Sequence, residues 1–218
     1  MSTDFVRRLS SSKFNYWFGY VANLALVAWL LSHAAVGDAS LSLTAWVVSA
    51  AGGLLGWTLS EYLLHRYVYH VWPSALSVGH DLHHRDPKAF LGVPWWFTAI
   101  IVVALYKGVA AVLDPAATGV VMGFCWLGYI GYCIMHHGTH HWSMRSPYLR
   151  HMKRKHLIHH AYPHTNWGFT TNLWDVVFGS NFKRVPKDHT SSTSGYADAL
   201  DPVTTRASQR PQQDRRAG

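Results

Sequence analysis

The sequence predicts an all-α integral membrane protein, with four transmembrane helices and a cytoplasmic helical cap. Three observations carry this prediction: four apolar runs of membrane length, a one-sided distribution of positive charge, and four clusters of histidine. The chain has 218 residues, of which 49% are hydrophobic, yet its mean hydropathy is only +0.01. Strongly apolar segments must therefore alternate with strongly polar ones.

Four apolar runs are long enough to cross a bilayer, which takes roughly 20 helical residues. They cover residues 16–35, 41–64, 95–113 and 119–135. The second run is predicted to continue as one helix through residues 65–70, until Trp72 and Pro73 end it. Such a helix of roughly 30 residues is about 45 Å long, against a hydrocarbon core of roughly 30 Å. Its histidine-bearing end should therefore project from the membrane.

Positive charge is confined to one side of the predicted bundle. All 19 lysines and arginines except Lys107 lie before the first run, between the second and third, or after the fourth. By the positive-inside rule, both termini and the loop of residues 65–94 are cytoplasmic. All four histidine clusters then lie at the cytoplasmic face. The formal charge of +8 therefore indicates a membrane surface rather than nucleic acid as the partner.

The chain after the fourth run begins with a predicted interfacial helix. Ser146 and Pro147 have the pattern of an N-cap followed by a first-turn proline, so we expect a helix over residues 147–161. Its histidines share one face with Leu149 and Met152, and the basic residues, Lys155 among them, occupy the remainder. The predicted organisation is a cytoplasmic tail at 1–14, a membrane-embedded domain at 15–182 and a basic disordered tail at 183–218.

Ten of the 16 histidines are the candidate metal ligands. The four clusters are His65 and His70; His80, His83 and His84; His136 and His140; and His156, His159 and His160. In the last three clusters, spacings of three and four residues place the side chains on one helix face. Two of them can then chelate one ion, and a third can reach a second ion. His65 and His70 are five apart, about 140° around a regular helix, so they would serve different ions or need a distorted helix end.

The composition indicates two metal ions bound by imidazole. Neutral imidazole is a ligand for iron, zinc, copper and nickel, and ten rings suit two ions at about four or five nitrogens each. Glu61 is the only glutamate, which excludes the carboxylate-rich di-iron site of soluble helical bundles. A histidine-rich dinuclear site remains, with a structural zinc site or metal storage as the alternative.

Other residues near the clusters have open assignments. His137 and His141 form a second four-apart pair that competes with His136 and His140. Three aspartates are candidate acceptors for the ring N–H groups, or else helix caps or surface residues: Asp81, Asp86 and Asp175. His151 and His164 could either support the metal ligands or have a purely structural role, and the sequence leaves both alternatives open. No role at the site is predicted for His33 and His189.

The order and spacing of the clusters resemble the membrane fatty acid hydroxylase superfamily, which includes sterol desaturases, sphingolipid hydroxylases and carotenoid hydroxylases. The resemblance covers residues 55–182 and rests on the four ordered histidine boxes. It rests also on a final Gly-Phe-Thr-Thr-Asn-Leu-Trp-Asp-Val-Val-Phe-Gly stretch at residues 168–179. The separation of His140 from His156 matches the family spacing, which favours His136 and His140 as the third pair.

This resemblance implies a dioxygen-dependent hydroxylase or desaturase that attacks C–H bonds of a lipid such as a fatty acyl chain, sterol or carotenoid. The ten histidines would bind two metal ions, iron in most members with zinc as the alternative, and no other catalytic residue is assigned. Because only a short polar tail precedes the first run, we expect a separate electron-transfer protein or reductase.

Two other classes remain as alternatives. One is a non-catalytic metal-binding membrane protein. The other is a cation transporter, which would place histidine or aspartate near the middle of the membrane. The first, third and fourth runs lack both residue types away from their ends, which argues against transport.

Overall fold

A computed structural model describes residues 7–8, 10–35 and 41–183. Seven helices lie in residues 13–35 and 41–183, and no strand occurs in the described ranges. They are α1 Lys13–Ala35, α2 Leu43–Leu63, α3 Ala75–Arg85, α4 Trp95–Ala110, α5 Pro115–His141, α6 Pro147–Ala161 and α7 Leu173–Val177. A π-helical segment, Leu64–Tyr69, extends α2. Most of the two predicted tails, with His189, lies outside the described residues.

Three of the helices are long and apolar enough to cross a membrane. They are Lys13–Ala34, Leu43–Tyr69 and Pro115–His141. The first, second and fourth predicted runs are thereby confirmed as candidate membrane helices. The predicted third span was too long, because α4 has only 16 residues, about 24 Å at the α-helical rise. It ends early because Asp114 caps α5, accepting a hydrogen bond from the Ala117 backbone N–H at 2.7 Å.

The short α4 nevertheless runs beside most of α1. At one end, the Trp95 backbone N–H donates to Asn15 Oδ1 at 3.1 Å. Towards the other end, Tyr106 packs edge-on against Trp29 and lies 4.5 Å from the His33 ring. The chain therefore returns from the end of the bundle near Asn15 to the end near His33. His33 itself lies far from the histidine clusters and bonds to the Trp29 carbonyl.

α5 is the centre of the bundle because α1 and α2 both pack along it. Tyr20 of α1 donates to the Cys133 carbonyl at 3.2 Å. A Cβ added at Gly53 of α2 would lie 2.3 Å from the Val121 carbonyl oxygen of α5. Small residues allow such close approach where helices pack within a membrane. α1 is antiparallel to α5, because Leu30 lies beside Gly119 at the other end, and α2 is parallel to it, because Trp57 lies beside Gly128. The histidine-bearing ends of α2 and α5 therefore meet.

Gly53→Ala is expected to lower the free energy of unfolding by about 1–3 kcal/mol, the usual cost of overpacking. The new methyl group would meet a backbone oxygen, which cannot rotate away as a side chain can. Gly52→Ala is the matched control, because its Cβ would meet no described atom within 4 Å. Thermal unfolding of both variants in detergent checks this, and equal melting temperatures would contradict the packing described here.

α6 confirms the helix predicted over residues 147–161, with proline in its first turn. One side-chain assignment on this helix was wrong. Lys155 is buried rather than facing lipid, with 7% relative exposure. It lies one turn from Met152 and His159, which are also buried, and its ammonium group reaches the buried Asp175 carboxylate at 3.0 Å.

Candidate metal centre

Nine of the ten predicted ligands form two groups in the part of the chain that the structure describes. In each group, every member offers one ring nitrogen, and these nitrogens all lie within 4.8 Å of one another. We call the groups site A and site B. Site A consists of His65, His70, His80, His84 and His159. Site B consists of His83, His140, His156 and His160.

The Nε2 atoms of site A converge on His80. The Nε2 atom of His80 lies 3.2 Å from that of His65, 2.9 Å from that of His70 and 3.1 Å from that of His84. His159 completes the group, with its Nε2 atom 3.1 Å from Nε2 of His70. Three separate segments, the end of α2, α3 and α6, thus bring five imidazoles to one point.

His65 and His70 share site A because the end of α2 is π-helical. The Leu64–Tyr69 segment has the wider winding in which residues five apart face the same side. A hydrogen bond with the same five-residue span follows at the end of the segment, where the Trp72 backbone N–H donates to the Tyr67 carbonyl at 2.7 Å. Of the two alternatives left by the five-residue spacing, the distorted helix end is therefore the one adopted.

Site B joins α3, α5 and α6. The Nε2 atom of His160 lies 3.1 Å from that of His83 and 3.0 Å from that of His156. The Nε2 atom of His140 lies 3.0 Å from that of His156. This site therefore mirrors the first in using several helices and the same ring nitrogen.

α3 and α6 each contribute to both sites. On α3, the four-apart pair belongs to site A, whereas His83 belongs to site B. On α6, the four-apart pair belongs to site B, whereas His159 belongs to site A. This is the division expected from the three-and-four spacing, and it fixes the separation of the two sites through two rigid helices.

His136, the tenth predicted ligand, lies beside site B without belonging to the group. Its ring centroid is 4.4 Å from that of His83 and 4.8 Å from that of His156. Its buried Nε2 atom has no hydrogen-bond partner among the described residues. An unpaired buried nitrogen is costly, and a metal ion at site B would provide the missing partner.

The competing pair, His137 and His141, belongs to neither site as the described residues form them. Nδ1 of His137 lies 2.9 Å from the Tyr16 hydroxyl, and its ring stacks on His141 at 4.3 Å. This geometry favours the pair formed by His136 and His140.

The hydrogen bonds of the rings suit metal ligation. Nδ1 of His65 donates to the Trp167 carbonyl at 2.7 Å, and Nδ1 of His159 donates to the Thr165 carbonyl at 2.8 Å. A carbonyl fixes the proton on Nδ1, which leaves the lone pair on Nε2. Nε2 lone pairs that face each other at about 3 Å repel unless a proton or a cation lies between them. The donor set therefore fits two metal ions.

Burial keeps these rings in the neutral form that binds metal. Removal from water, reinforced by the neighbouring His84, lowers the pKa of His70 to about 4. Burial and the same neighbour lower the pKa of His160 to about 3. Both rings are thus neutral near pH 7, and a metal ion would not have to displace their protons.

Two of the predicted acceptors for ring N–H groups have other partners. Asp81 forms an exposed ion pair with Arg85 at 2.7 Å. Asp86 is the C-cap of α3, and its backbone N–H donates to the Leu82 carbonyl. The surface and helix-cap alternatives therefore hold for these two residues.

Asp175 supports the site indirectly, by holding the loop whose carbonyls bond to the ligand rings. Its carboxylate accepts hydrogen bonds from the backbone N–H groups of Trp167 at 2.8 Å and Gly168 at 3.0 Å. It also accepts from the Ser180 hydroxyl at 2.7 Å and pairs with Lys155. Neither alternative left open for Asp175 is found among the described residues, because it lies buried inside α7 and backbone carbonyls of the loop that it holds accept from the rings of His65 and His159.

Glu61 ties the same loop to α2. Its buried carboxylate accepts hydrogen bonds from the backbone N–H groups of Phe169 and Thr170, and from the Thr170 hydroxyl at 2.6 Å. The Phe169 ring in turn packs 4.7 Å from the His156 ring. No role in holding this loop is predicted for Glu61 from the sequence. Its position one turn before His65, as an acid in an apolar run, was the available signal.

A cavity of about 430 Å³ opens beside both sites. His80 of site A, His83 of site B and His136 line one end of it, and Gly19 and Asn23 of α1 line the other. Its volume falls within the roughly 300–1,000 Å³ that is usual for small-molecule sites. Because most of the wall is apolar or aromatic, a lipid chain is the ligand that it fits best.

Comparison with known proteins finds relatives that match between 58% and 76% of this chain. Dihydroceramide fatty acyl 2-hydroxylase FAH1 of Arabidopsis thaliana is 31% identical, over 76% of this chain and 73% of its own length. The related FAH2 is 37% identical over 60% of this chain, and the match spans 59% of FAH2. For the rat fatty acid 2-hydroxylase, at 33% identity, the match spans 37% of that protein.

The fold comparison agrees with the sequence comparison. The structure described as full length scs7p, in which only the hydroxylase domain is visible, superimposes with a TM-score of 0.66. It is 29% identical and covers 82% of this chain and 70% of that chain. Residues 50–180, which carry all ten candidate ligands, match the sequence profile of the family described as Fatty acid hydroxylase. The chain therefore belongs to the fatty acid hydroxylase family.

Proposed function

We propose that this protein is a membrane-bound, dioxygen-dependent lipid hydroxylase that acts on a fatty acyl chain, either free or within a ceramide. The observation that carries the proposal is the cavity whose one end is lined by His80 and His83, one from each histidine group. The names of the relatives support fatty acyl and ceramide substrates and oxidation at carbon 2. They also favour hydroxylation over desaturation, and an acyl chain over a sterol or carotenoid.

The proposed centre contains two iron ions, with zinc as the alternative. Site A would supply five imidazoles to one ion, and site B together with His136 would supply five to the other. When bound, the two ions would activate dioxygen and supply the oxidant that an unactivated C–H bond requires.

The residues of the chain orient the ligands and exclude water. The carbonyls of Thr165 and Trp167 fix the rings of His159 and His65, as described above. Tyr69 stacks on the His80 ring with 5.0 Å between ring centroids, and this tyrosine also lines the cavity. These contacts shield the ligand rings and form a dry wall, against which the reacting carbon would be held close to both sites.

The proposed topology has four crossings, with both termini and the metal centre in the cytoplasm. The course of α4 beside α1 supports four crossings despite its 16 residues. The positive-inside rule supports the orientation. Arg145 is exposed just beyond the ligand-carrying end of α5, and Arg150 and Arg154 are exposed on the first half of α6. We propose that this basic face receives a separate electron-transfer protein with an acidic surface.

Expression in cells that lack 2-hydroxylated lipids tests the proposed function. We expect fatty acids or ceramides heavier by one oxygen, with fragmentation that places the hydroxyl group at carbon 2. The purified protein should contain two iron ions per chain. A protein that binds metal fully but changes no lipid would instead be the non-catalytic metal-binding alternative, and a loss of two hydrogens would identify a desaturase.

A further inference from the structure

Gly19 of α1 is a buried residue with open space beside it. In the described ranges 10–35 and 41–183, a Cβ added to it would meet no atom within 4 Å apart from its chain neighbours and the adjacent backbone of α1. Gly52 and Gly108 have equally open space but are exposed on their helices, and Gly56 and Gly131, with the same open space, are half-buried and do not line the cavity. The space beside Gly19 is instead internal, because this residue lines the cavity that reaches the histidine sites.

The wall on which Gly19 lies is fixed in place. One residue further along α1, the Tyr20 hydroxyl donates to the Cys133 carbonyl of α5. One turn further, Trp126 of α5 donates to Asn23 Oδ1 at 2.9 Å, while Asn23 Nδ2 donates to the Gly19 carbonyl at 2.7 Å. Hydrogen bonds between helices inside a membrane resist separation. The width of the cavity at this point therefore depends on the side chain at position 19.

Gly19 lies along the path that leads from the metal sites into the membrane. On α5, His136 and Tyr129 both line the cavity, and seven residues of helix separate them by about 10 Å. On α1, Tyr16 lies at the level of His137, and Gly19 is almost one turn deeper in the bundle. A lipid whose carbon 2 lies at the histidine end would extend its remaining methylene groups past Gly19.

The same cavity reaches the lipid-facing surface. Trp96 and Phe97 of α4 line it, and they are also 45% and 38% exposed. A long chain could thus pass between α1 and α4 and end among the bilayer lipids. An alkyl chain is the occupant that suits this passage, because its course begins at the histidines and ends in hydrocarbon.

We propose that Gly19 is a specificity-determining residue for the acyl chain. Its missing side chain leaves the passage through which the methylene groups beyond the reacting carbon run. The volume of the side chain at position 19 therefore sets the longest chain that the protein accepts. This inference rests on the proposed function, since it takes a fatty acyl chain as the substrate.

The test is a series of Gly19→Ala, Gly19→Leu and Gly19→Phe, with Gly52→Phe as the matched control on α2. Purified variants would be incubated with an equimolar mixture of saturated fatty acids of graded length, and the bound acids measured by mass spectrometry. The 2-hydroxy products formed in cells would be measured in parallel. We expect the ratio of long to short chains to fall stepwise along the series, by at least about tenfold for Gly19→Phe, and to stay unchanged for Gly52→Phe.

Several outcomes would overturn the inference. One is a ratio of long to short fatty acids that is unchanged in Gly19→Phe. Another is an equal loss of binding for fatty acids of every length in a variant whose melting temperature equals that of the wild type. If Gly19→Phe does not fold, Gly19→Leu and Gly19→Ala decide, because the space beside Gly19 accommodates a Cβ. If the wild type binds fatty acids but oxidises none, the proposed function fails, and a length ratio that shifts along the series still supports the passage.

Discussion

Replacing His159 by alanine is expected to abolish 2-hydroxylation. The ring is fully buried, its Nε2 atom faces His70 at 3.1 Å, and its Nδ1 donates to the Thr165 carbonyl. Loss of an outer hydrogen-bond partner alone typically lowers metal affinity or activity by about 10–100-fold. Loss of the ligand itself should therefore lower product by at least about 100-fold, measured as 2-hydroxy lipid per amount of protein, with a matching loss of metal at one site.

His151→Ala is the control for this prediction. It lies on the same helix and makes the same chemical change, but His151 is exposed on the outer surface of α6. We expect it to retain wild-type product and metal content. His83→Ala, which removes a ligand of site B, should resemble His159→Ala, because both sites border the same cavity. Full metal content and full activity in His159→Ala would contradict the assignment of site A.

The histidine spacing is enough to group the pairs at four residues, because the position of a side chain on a helix is a local property. The pairs at four residues needed only the α-helical period, and they meet as that period requires. The pair His65 and His70 could not be resolved in this way, since five residues fit one site only if the helix widens. The extent of the π-helical segment depends on what α3 and α6 present to it, and no local pattern encodes those distant contacts.

The residues that the sequence did not reveal are those with distant partners. Glu61 bonds to a loop more than 100 residues away, and Lys155 meets a carboxylate 20 residues away, across a turn. Periodicity can say which residues share a face, but it does not say what that face meets. The early end of α4 was also not evident from the hydrophobic pattern. Val112 and Leu113 are as apolar as the helix before them, yet the cap at Asp114 places them in a turn.

Replacing Asp175 by asparagine is expected to lower the free energy of unfolding by about 3–5 kcal/mol, the usual effect of removing one partner from a buried ion pair. Asp175 is fully buried and Lys155 is 8% exposed at its side chain, so the ammonium group would stay buried without a counter-charge. The loop that orients His65 and His159 would also lose one of the two buried carboxylates that hold it. Thermal unfolding and metal content should therefore fall together.

The matched control is the surface pair of Asp81 and Arg85. These side chains are 57% and 73% exposed, so Asp81→Asn should change the free energy of unfolding by no more than about 1 kcal/mol. The double variant Lys155→Met with Asp175→Asn distinguishes the effect of an unpaired buried charge from the effect of altered side-chain packing. It should recover part of the loss, because no unpaired charge remains buried and neighbouring sites are non-additive. If the double variant instead loses the sum of the two single effects, the ion pair does not couple α6 to the loop that orients the ligands.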